Sequence, residues 1–117
     1  MSEITHFIAI DLGASGGRVM LGHWDGARFE LEELYRFETG GVTVQGRLLW
    51  DHLRLWGEIK QGLSNYAARY SEPVAGISVD TWGVDFGLID RNGNLIGNAY
   101  HYRDSATDGM MEKAFEI

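Results

Sequence analysis

Apolar residues in the first third of the chain form short runs that end at glycines, a pattern typical of strands joined by tight turns. Residues 4–11 (ITHFIAID) contain the run FIAI, and a strand that is apolar on both faces is typical of the centre of a sheet. Residues 18–25 and 28–38 alternate apolar and polar side chains, with the hairpin signal Asp-Gly at 25–26 between them. The pattern therefore predicts three strands in an antiparallel meander.

One long amphipathic helix is predicted over residues 51–70. Apolar residues recur there at steps of three and four, which places them on one helix face: Leu53, Trp56, Ile59, Leu63, Tyr66, Ala67 and Tyr70. Asp51 is the predicted N-cap, because its carboxylate can accept the free amide hydrogens of the first turn. Gly57 and Gly62 each cost a helix about 1 kcal/mol relative to alanine, so we expect tertiary packing to hold this helix.

The second half of the chain contains shorter predicted elements. Residues 39–50 are predicted to be a loop with a short strand near Leu48–Trp50, and residues 74–80 (VAGISVD) to be a buried strand. Residues 84–90 (VDFGLID) are predicted to be a further strand that turns at Arg-Asn-Gly, residues 91–93. This order predicts an α/β protein with a mixed sheet, built from the antiparallel meander with a helix on one face.

The C-terminal residues predict a second helix that begins after Asp104 or Ser105. Apolar residues follow at helical spacing: Met110, Met111, Ala114 and Phe115. The sequence ends at Ile117 without the glycine that commonly closes a helix. We therefore expect the chain to be one part of a longer protein.

Composition narrows the class of protein. The 117 residues suit one modest domain, and 44% of them are hydrophobic. The formal charge is −7 at pH 7, and because phosphate backbones attract basic proteins, a nucleic-acid partner is not expected. The absence of cysteine excludes disulfides and thiolate metal sites. No signal-peptide pattern and no apolar run of ~20 residues is present, so we expect a cytoplasmic protein without a membrane partner.

The loop after the first strand, DLGASGGR from Asp11 to Arg18, combines a carboxylate with small residues. Glycines let backbone N–H groups approach anionic oxygens and accept positive φ angles, so the three glycines and the serine indicate a phosphate-binding loop. The loop joins two strands, so no helix dipole assists. Asp11 is placed to hold Mg²⁺, and Arg18 adds a donor. The alternative is a hairpin turn of small residues, closed by hydrogen bonds to Asp11.

A second constellation is DTWGVDF, residues 80–86. An indole, a glycine that lets a ligand approach, and two carboxylates, Asp80 and Asp85, are groups suited to a sugar site, where an aromatic face meets a few polar groups. The alternative is that Trp82 belongs to the core and both aspartates cap turns. Arg103 and Asp104 stand together in YHYRDS, and the alternative for them is a solvated local ion pair.

Three segments together resemble the N-terminal part of the FGGY carbohydrate kinases: AIDLGASGGRVML (9–21), GISVDTWGVDFGLID (76–90) and YHYRDSATDGMM (100–111). DTWGVDF is the most specific of them, while DLGxSxGR is shared with the wider family and its actin-like relatives. The resemblance implies a partial ribonuclease H-like (actin-like ATPase) domain. Residues 1–117 would form the N-terminal part of the first kinase domain, without the remainder of that domain or the second domain.

The resemblance also implies site residues and a reaction. The implied ATP contacts are Ala14, Ser15, Gly16, Gly17 and Arg18. Asp11 would help to hold Mg²⁺, and Gly83 would contact the sugar, with Trp82 and Arg103 as neighbouring candidates. The implied reaction is the phosphorylation of L-rhamnulose by ATP to L-rhamnulose 1-phosphate. The family's catalytic base lies downstream, so no catalytic residue is assigned within residues 1–117, and this chain alone is predicted to be inactive.

One departure and three alternative functions remain. Relatives usually carry serine where this chain has Gly16, which removes one hydroxyl donor but leaves the backbone amides. The first alternative is a kinase for another ketose, such as L-fuculose or xylulose. The second is a two-metal nuclease of the same fold that pairs Asp11 with Asp80, although the acidic charge opposes it. The third is a non-enzymatic actin-like nucleotide-binding module.

Overall fold

The computed structural model describes residues 3–117. In chain order the elements are β1 Thr5–Leu12, β2 Gly16–Trp24, β3 Phe29–Glu38, β4 Val42–Val44, β5 Arg47–Leu49, α1 His52–Arg69, β6 Val74–Thr81, a 3-10 helix Ser105–Thr107 and α2 Met110–Phe115. The chain divides into two compact units. The first unit contains Met1–Gly40 and Leu53–Trp82, and the second contains Gly41–His52 and Gly83–Ile117. No helix within residues 3–117 is long and apolar enough to cross a membrane.

The first unit contains a four-stranded mixed sheet in the order β3-β2-β1-β6. β2 pairs antiparallel with both β1 and β3, and β6 pairs parallel with β1. The predicted meander, mixed sheet and interior position of β1 are therefore confirmed. The core contains apolar residues of the meander and of α1: Ile8, Ile10, Val19, Leu21, Leu34, Phe37, Leu55, Ile59 and Tyr66.

A β-bulge in β3 changes which residues face the core. Val19 pairs with Tyr35 while Met20 pairs with Glu33, so Leu34 is an extra residue on β3. An extra residue shifts the alternation of side chains beyond it. Leu34 and Phe37 are both buried although they are three positions apart, and Arg36 is left on the face away from the core.

Helix α1 confirms the predicted segment but turns a different face to the sheet. Its buried residues are Leu55, Ile59, Gly62 and Tyr66. The predicted positions Leu53 and Trp56 are 72% and 56% exposed, so that part of the predicted stripe is wrong. The reason is the close approach at Gly62, where a Cβ atom would lie 2.6 Å from Cβ of Val19. Asp51 directly precedes the helix, and its role as N-cap stays a prediction.

Strand β6 forms as predicted but is not buried. Ile77 and Val79 are 55% and 58% exposed, because β6 lies at the edge of the four-stranded sheet. Apolar side chains of the meander, among them Phe29 and Leu31, are also exposed. The sheet therefore keeps apolar surface that no part of residues 3–117 covers.

The second unit contains a hairpin of which the sequence predicted one strand: the short strand expected near Leu48–Trp50 corresponds to β5, whereas β4 and the turn were not predicted. β4 and β5 pair antiparallel across a turn in which Gln45 and Gly46 have φ angles of 49° and 77°. Two adjacent positive φ angles are the mark of a type I′ hairpin turn. Val-Thr-Val followed by Gln-Gly was the available signal, but strands of three residues are too short to show periodicity.

The predicted strand at 84–90 is wrong. In that part of the described chain the pairing is limited to an isolated bridge between Ile89 and Leu95, because Val84 leaves the extended conformation with a φ angle of 67°. The turn at 91–93 is confirmed, since the amide of Asp90 donates to the carbonyl of Asn94 at 2.8 Å.

The single helix predicted at the C-terminus is divided. Asp104 caps the 3-10 helix by accepting from the amide of Ala106, as the sequence predicted. Gly109 then adopts a φ angle of 72° immediately before α2. A residue in the left-handed region interrupts helical geometry, so two short helices replace one.

Candidate functional site

The turn between β1 and β2 is shorter than predicted and is held in place by hydrogen bonds from Thr39. It closes through a hydrogen bond from the amide of Gly13 to the carbonyl of Gly16 (2.9 Å). Thr39 is fully buried; its Oγ1 donates to the carbonyl of Gly13 (2.5 Å) and its amide donates to that of Ser15 (3.3 Å). Thr39 was missed by sequence reasoning, because it lies 26 positions from Gly13 and carries no local signal.

Gly13 and Gly17 are needed in this turn for space and not for positive φ angles. The described glycines with positive φ are Gly26, Gly46, Gly93, Gly97 and Gly109, so the expectation of positive φ in this loop is wrong. A Cβ atom on Gly13 would lie 2.8 Å from the carbonyl oxygen of Gly16, and one on Gly17 would lie 2.5 Å from the Phe37 ring. At Gly16 the nearest atom would be 3.7 Å away, so a side chain fits there.

A cleft of about 410 Å³ lies beside the turn. It is lined by Gly13, Ser15, Gly16, Gly17, Arg18, Arg36, Phe37 and Glu38. Four of the five predicted ATP contacts therefore share one cleft, and Ala14 is not among the lining residues. Arg36 is a candidate that the sequence did not reveal. The bulge at Leu34 places Arg36 opposite Arg18 on the neighbouring strand. Strict alternation of side chains along β3 would not have predicted this pairing.

Four charged residues follow one another across the sheet: Arg36, Arg18, Asp11 and Asp80 are successive register partners on β3, β2, β1 and β6. Arg18 Nη2 and Asp11 Oδ2 form an ion pair at 2.7 Å. Arg36 forms three hydrogen bonds with the Glu33 carboxylate, which hold the pKa of Glu33 below its ordinary value. The side chains of the two ion pairs, Arg18–Asp11 and Arg36–Glu33, are 39–64% exposed, and exposed ion pairs contribute little to stability. An incoming polyphosphate can therefore compete for both arginines.

The carboxylates in this row fit a magnesium ion. Mg²⁺ is held through one or two carboxylates together with phosphate oxygens and water. Asp11 and Asp80 are register partners on adjacent parallel strands, and side chains at paired positions share a face. Residues 3–117 contain no group of three His, Asp or Glu side chains that could cage a metal ion. Asp11 and Asp80 thus provide two carboxylates on one face, which suit an ion that is also held by phosphate oxygens and water.

In the second unit, Trp50 is the centre of a buried polar and aromatic cluster. Its indole Nε1 donates to Asp85 Oδ2 at 2.6 Å, and its ring stacks on His101 with 4.1 Å between the centroids. Its amide donates to the carbonyl of Ala99 at 2.9 Å. Asp85 therefore has a defined partner, whereas the sequence left its role open.

The YHYRDS segment is fixed to strand β5 by Asp104. The Asp104 carboxylate accepts from the amides of Leu48 (2.6 Å) and Ala106 (2.8 Å) and pairs with Arg47 (3.3 Å). The hydrogen bond from Leu48 is the main reason that the pKa of Asp104 is lowered. Asp104 thus pairs with Arg47 and not with its neighbour Arg103, whose guanidinium lies 5.4 Å from the Tyr102 ring centroid. The alternative of a local Arg103–Asp104 pair is wrong.

The three predicted sugar contacts have different surroundings. Trp82 is partly buried and packs against the core of the first unit, which agrees with the structural alternative for this residue. A Cβ atom on Gly83 would meet nothing within 4 Å, so this glycine is open to a ligand. A cleft of about 630 Å³ in the second unit is lined by Asp85, His101 and Tyr102 among others. Neither Gly83 nor Arg103 is among its lining residues.

Comparison with curated proteins finds relatives that are about 40% identical to this chain. The chain is 42% identical over 112 residues to a rhamnulokinase of Mannheimia succiniciproducens, matching 94% of this chain and 23% of the relative. It is 43% identical over 110 residues to a rhamnulokinase of Bacteroides thetaiotaomicron, matching 94% of this chain and 22% of the relative. The chain thus spans less than a quarter of the length of these relatives. No family model matches the chain.

Solved structures show the same fold. A gluconate kinase from Lactobacillus acidophilus matches with a TM-score of 0.77 at 14% identity, over 97% of this chain and 23% of that one. A xylulose kinase from Rhodospirillum rubrum matches with a TM-score of 0.72 at 16% identity, over 96% of this chain and 23% of that one. The predicted resemblance to carbohydrate kinases and the predicted fold, part of an actin-like ATPase domain, are therefore confirmed.

Proposed function

We propose that this chain is the N-terminal part of the first domain of an ATP-dependent kinase that converts L-rhamnulose to L-rhamnulose 1-phosphate. The observation that carries the proposal is the 42% identity over 112 residues with a rhamnulokinase. Because ATP is the phosphate donor, we assign the enzyme to the cytoplasm. The remainder of the first domain and the second domain lie outside this sequence.

The cleft beside the β1–β2 turn is proposed to hold the ATP phosphates. Phosphoryl transfer depends on positioning and on neutralising negative charge. Ser15 supplies a hydroxyl donor, Gly16 and Gly17 present backbone without side chains, and Ala14 follows Gly13 at the tip. Arg18 and Arg36 add positive charge once a phosphate displaces their carboxylate partners, since charge-assisted hydrogen bonds to phosphate are strong.

Asp11 is proposed to hold Mg²⁺ at the same edge, with Asp80 beside it. When bound, the ion neutralises charge on the transferring phosphate. The pair between Asp11 and Arg18 must open for this, which links phosphate binding by Arg18 to release of the Asp11 carboxylate. Both residues would thereby change partners in one step, at small cost because the pair is exposed.

The sugar is proposed to contact Gly83, with Trp82 and Arg103 as further candidates. No residue of this chain is proposed as the base that takes the proton from the attacking hydroxyl. Asp85 is engaged by Trp50 and Asp11 by Arg18. The resemblance to the FGGY carbohydrate kinases implies that the base lies in the part of the protein outside this sequence, and we expect this chain alone to be inactive.

Coupled ADP release with Mg-ATP and L-rhamnulose tests the proposal. This chain is compared with a version extended to the full length of its rhamnulokinase relatives, and turnover is expected in the extended version alone. Gly83→Ala in that version is expected to raise the KM for L-rhamnulose, because the added methyl group meets no protein atom within 4 Å and so acts on the ligand. Gly57→Ala, which is equally free of contacts, is the matched control.

Other results would redirect the assignment. Turnover of L-fuculose or xylulose and not of L-rhamnulose would keep the kinase and change the sugar. ATP binding without turnover of any ketose would favour a nucleotide-binding module. The pairing of Asp11 with Asp80 across β1 and β6 is the one observation that favours a two-metal nuclease, and Mg²⁺-dependent cleavage of RNA or DNA would support it. The net charge of −7 opposes that function.

A further inference from the structure

The backbone at Val84 is strained. Val84 and Gln45 are the two described non-glycine residues with positive φ angles, 67° and 49°. The β4–β5 hairpin explains Gln45, whereas Val84 lies outside every helix and strand. Positive φ is a genuine outlier for a β-branched residue, and such outliers cluster at ligand-binding positions. The Val84 side chain is 86% exposed, so its own packing does not impose the conformation.

The next residue, Asp85, holds this strained turn. Its carboxylate accepts a 2.6 Å hydrogen bond from the Trp50 indole. Trp50 is 4% exposed, and its ring and backbone are fixed by His101 and Ala99. An indole offers a single donor, and at Trp50 that donor is used for Asp85, so this bond restrains Asp85 and, through it, the chain at Val84 and Gly83.

The same cluster reaches Arg103. The amide of Arg103 donates to Nδ1 of His101 at 3.0 Å, so this nitrogen is an acceptor and the ring proton lies on Nε2. The amide of His101 donates to the carbonyl of Leu48 at 3.0 Å. Trp50 and His101, stacked on each other, therefore connect Asp85 with Arg103 through two hydrogen bonds. The amide of Arg103 is thus bonded to one ring of the stacked pair, and Gly83 lies two residues before Asp85, which is bonded to the other ring.

We propose that Asp85 is a positioning residue for the ketose: by accepting the Trp50 hydrogen bond it holds the Gly83–Val84 turn in place relative to Arg103, without touching the sugar. This inference rests on the proposed function. Asp85 then supports sugar binding without recognising the sugar directly. Its role differs from that proposed for the carboxylates Asp11 and Asp80 of the first unit, which are placed at the magnesium site.

Kinetics in the version extended to full length test the proposal. Asp85→Ala is expected to raise the KM for L-rhamnulose about tenfold, the effect of losing one hydrogen bond to a charged group, with the KM for ATP unchanged. Trp50→Phe keeps an aromatic ring on His101 but removes the donor, and is expected to give the same rise. Asp85→Asn keeps an oxygen acceptor and is expected to remain within about threefold of the unmodified enzyme.

Asp90→Ala is the matched control. Asp90 also fixes a turn in the second unit, by accepting from the amides of Asn92 and Asn94 at 2.8 and 2.9 Å, but it is not attached to Trp50. We expect Asp90→Ala to leave the KM for L-rhamnulose unchanged. An equal rise in Asp85→Ala and Asp90→Ala would overturn the proposal, because any loosened turn would then suffice. Equal damage by Asp85→Asn and Asp85→Ala would also overturn it, since the charge itself would then contact the sugar.

Val84→Gly tests whether Asp85 acts by holding Val84 in its strained backbone conformation. Glycine adopts positive φ without steric cost, so the effect of Asp85→Ala on the KM for L-rhamnulose is expected to be smaller in the Val84→Gly background. An unchanged effect would contradict the strained-turn argument.

Nuclear magnetic resonance provides a readout that needs no turnover. With ¹⁵N-labelled glycine and tryptophan, the Gly83 amide resonance is expected to move in Asp85→Ala and Trp50→Phe, and to stay in place in Asp90→Ala. A Gly83 resonance that ignores Asp85→Ala would refute positioning. Absence of ketose turnover in the unmodified protein would instead refute the proposed function, while these resonances would still report on the turn.

Discussion

Replacement of Gly62 by alanine measures how closely helix α1 packs on the sheet. Alanine favours a helix over glycine by about 1 kcal/mol, so an uncrowded site would be stabilised. At Gly62 the new Cβ would lie 2.6 Å from Cβ and 3.0 Å from Cγ1 of Val19. Both distances are too short for carbon atoms, and Val19 is fully buried on β2, so it cannot turn away.

The packing cost is expected to outweigh the helical gain. Overpacking of a core costs about 1–3 kcal/mol, and the rigid strand behind Val19 places Gly62 in the upper part of that range. The net change in the free energy of unfolding is therefore a loss of about 1–2 kcal/mol. For a domain of this size each kcal/mol lowers the thermal midpoint by roughly 5 °C. Urea unfolding followed by far-ultraviolet circular dichroism measures the loss directly.

Gly57→Ala is the control within the same helix. Gly57 is exposed and a Cβ atom there meets nothing within 4 Å, so we expect a gain of about 0.5–1 kcal/mol. In addition, Val19→Ala combined with Gly62→Ala should cost less than the sum of the single losses, because one change makes room for the other. If Gly62→Ala stabilised the protein as Gly57→Ala does, the close approach of α1 to β2 would be refuted.

Three further predictions concern the cleft and the second unit. A serine side chain fits at Gly16, since the nearest atom to its Cβ would be 3.7 Å away. In the extended version, the added hydroxyl of Gly16→Ser should lower the KM for ATP about twofold to tenfold, as one hydrogen bond would. A rise in this KM would argue against phosphate in the cleft. Arg36→Ala should raise the KM for ATP about tenfold and leave that for the ketose unchanged, with Glu33→Gln as the control that frees Arg36 without removing it. The Leu48 amide lowers the pKa of Asp104 below 3.8, so the unfolded chain is protonated at this carboxylate before the folded protein as the pH falls. The stabilisation by Asp104 is therefore full above about pH 4 and is lost as the pH falls further. Asp104→Asn should remove this part of the acid-induced decline in thermal midpoint, and an unchanged decline would contradict the prediction.

Local sequence patterns predicted the elements whose conformation depends mainly on residues close together in the chain. The antiparallel meander, the interior position of β1 and the extent of α1 follow from runs of apolar residues and from turn signals that act over a few positions. The candidate phosphate loop was also visible, because a carboxylate and small residues stand next to one another in the chain. Prediction from the sequence failed where the position of a side chain depends on a residue far away in the chain.

Contacts between distant segments decided the rest. The face that α1 buries depends on Val19, and Arg36 enters the cleft because a bulge at Leu34 reverses the alternation of β3. The partner of Asp85 is Trp50, which is 35 positions away, and the burial of β6 depends on what covers its edge.

The sequence by itself therefore determined the antiparallel meander, the extent of α1 and the loop of small residues that follows Asp11, because backbone propensity and hydrophobic periodicity act locally. The tertiary structure alone decided which side chains meet, as in the row Arg36, Arg18, Asp11 and Asp80. Register between strands is set by packing of whole faces, and no local pattern records it.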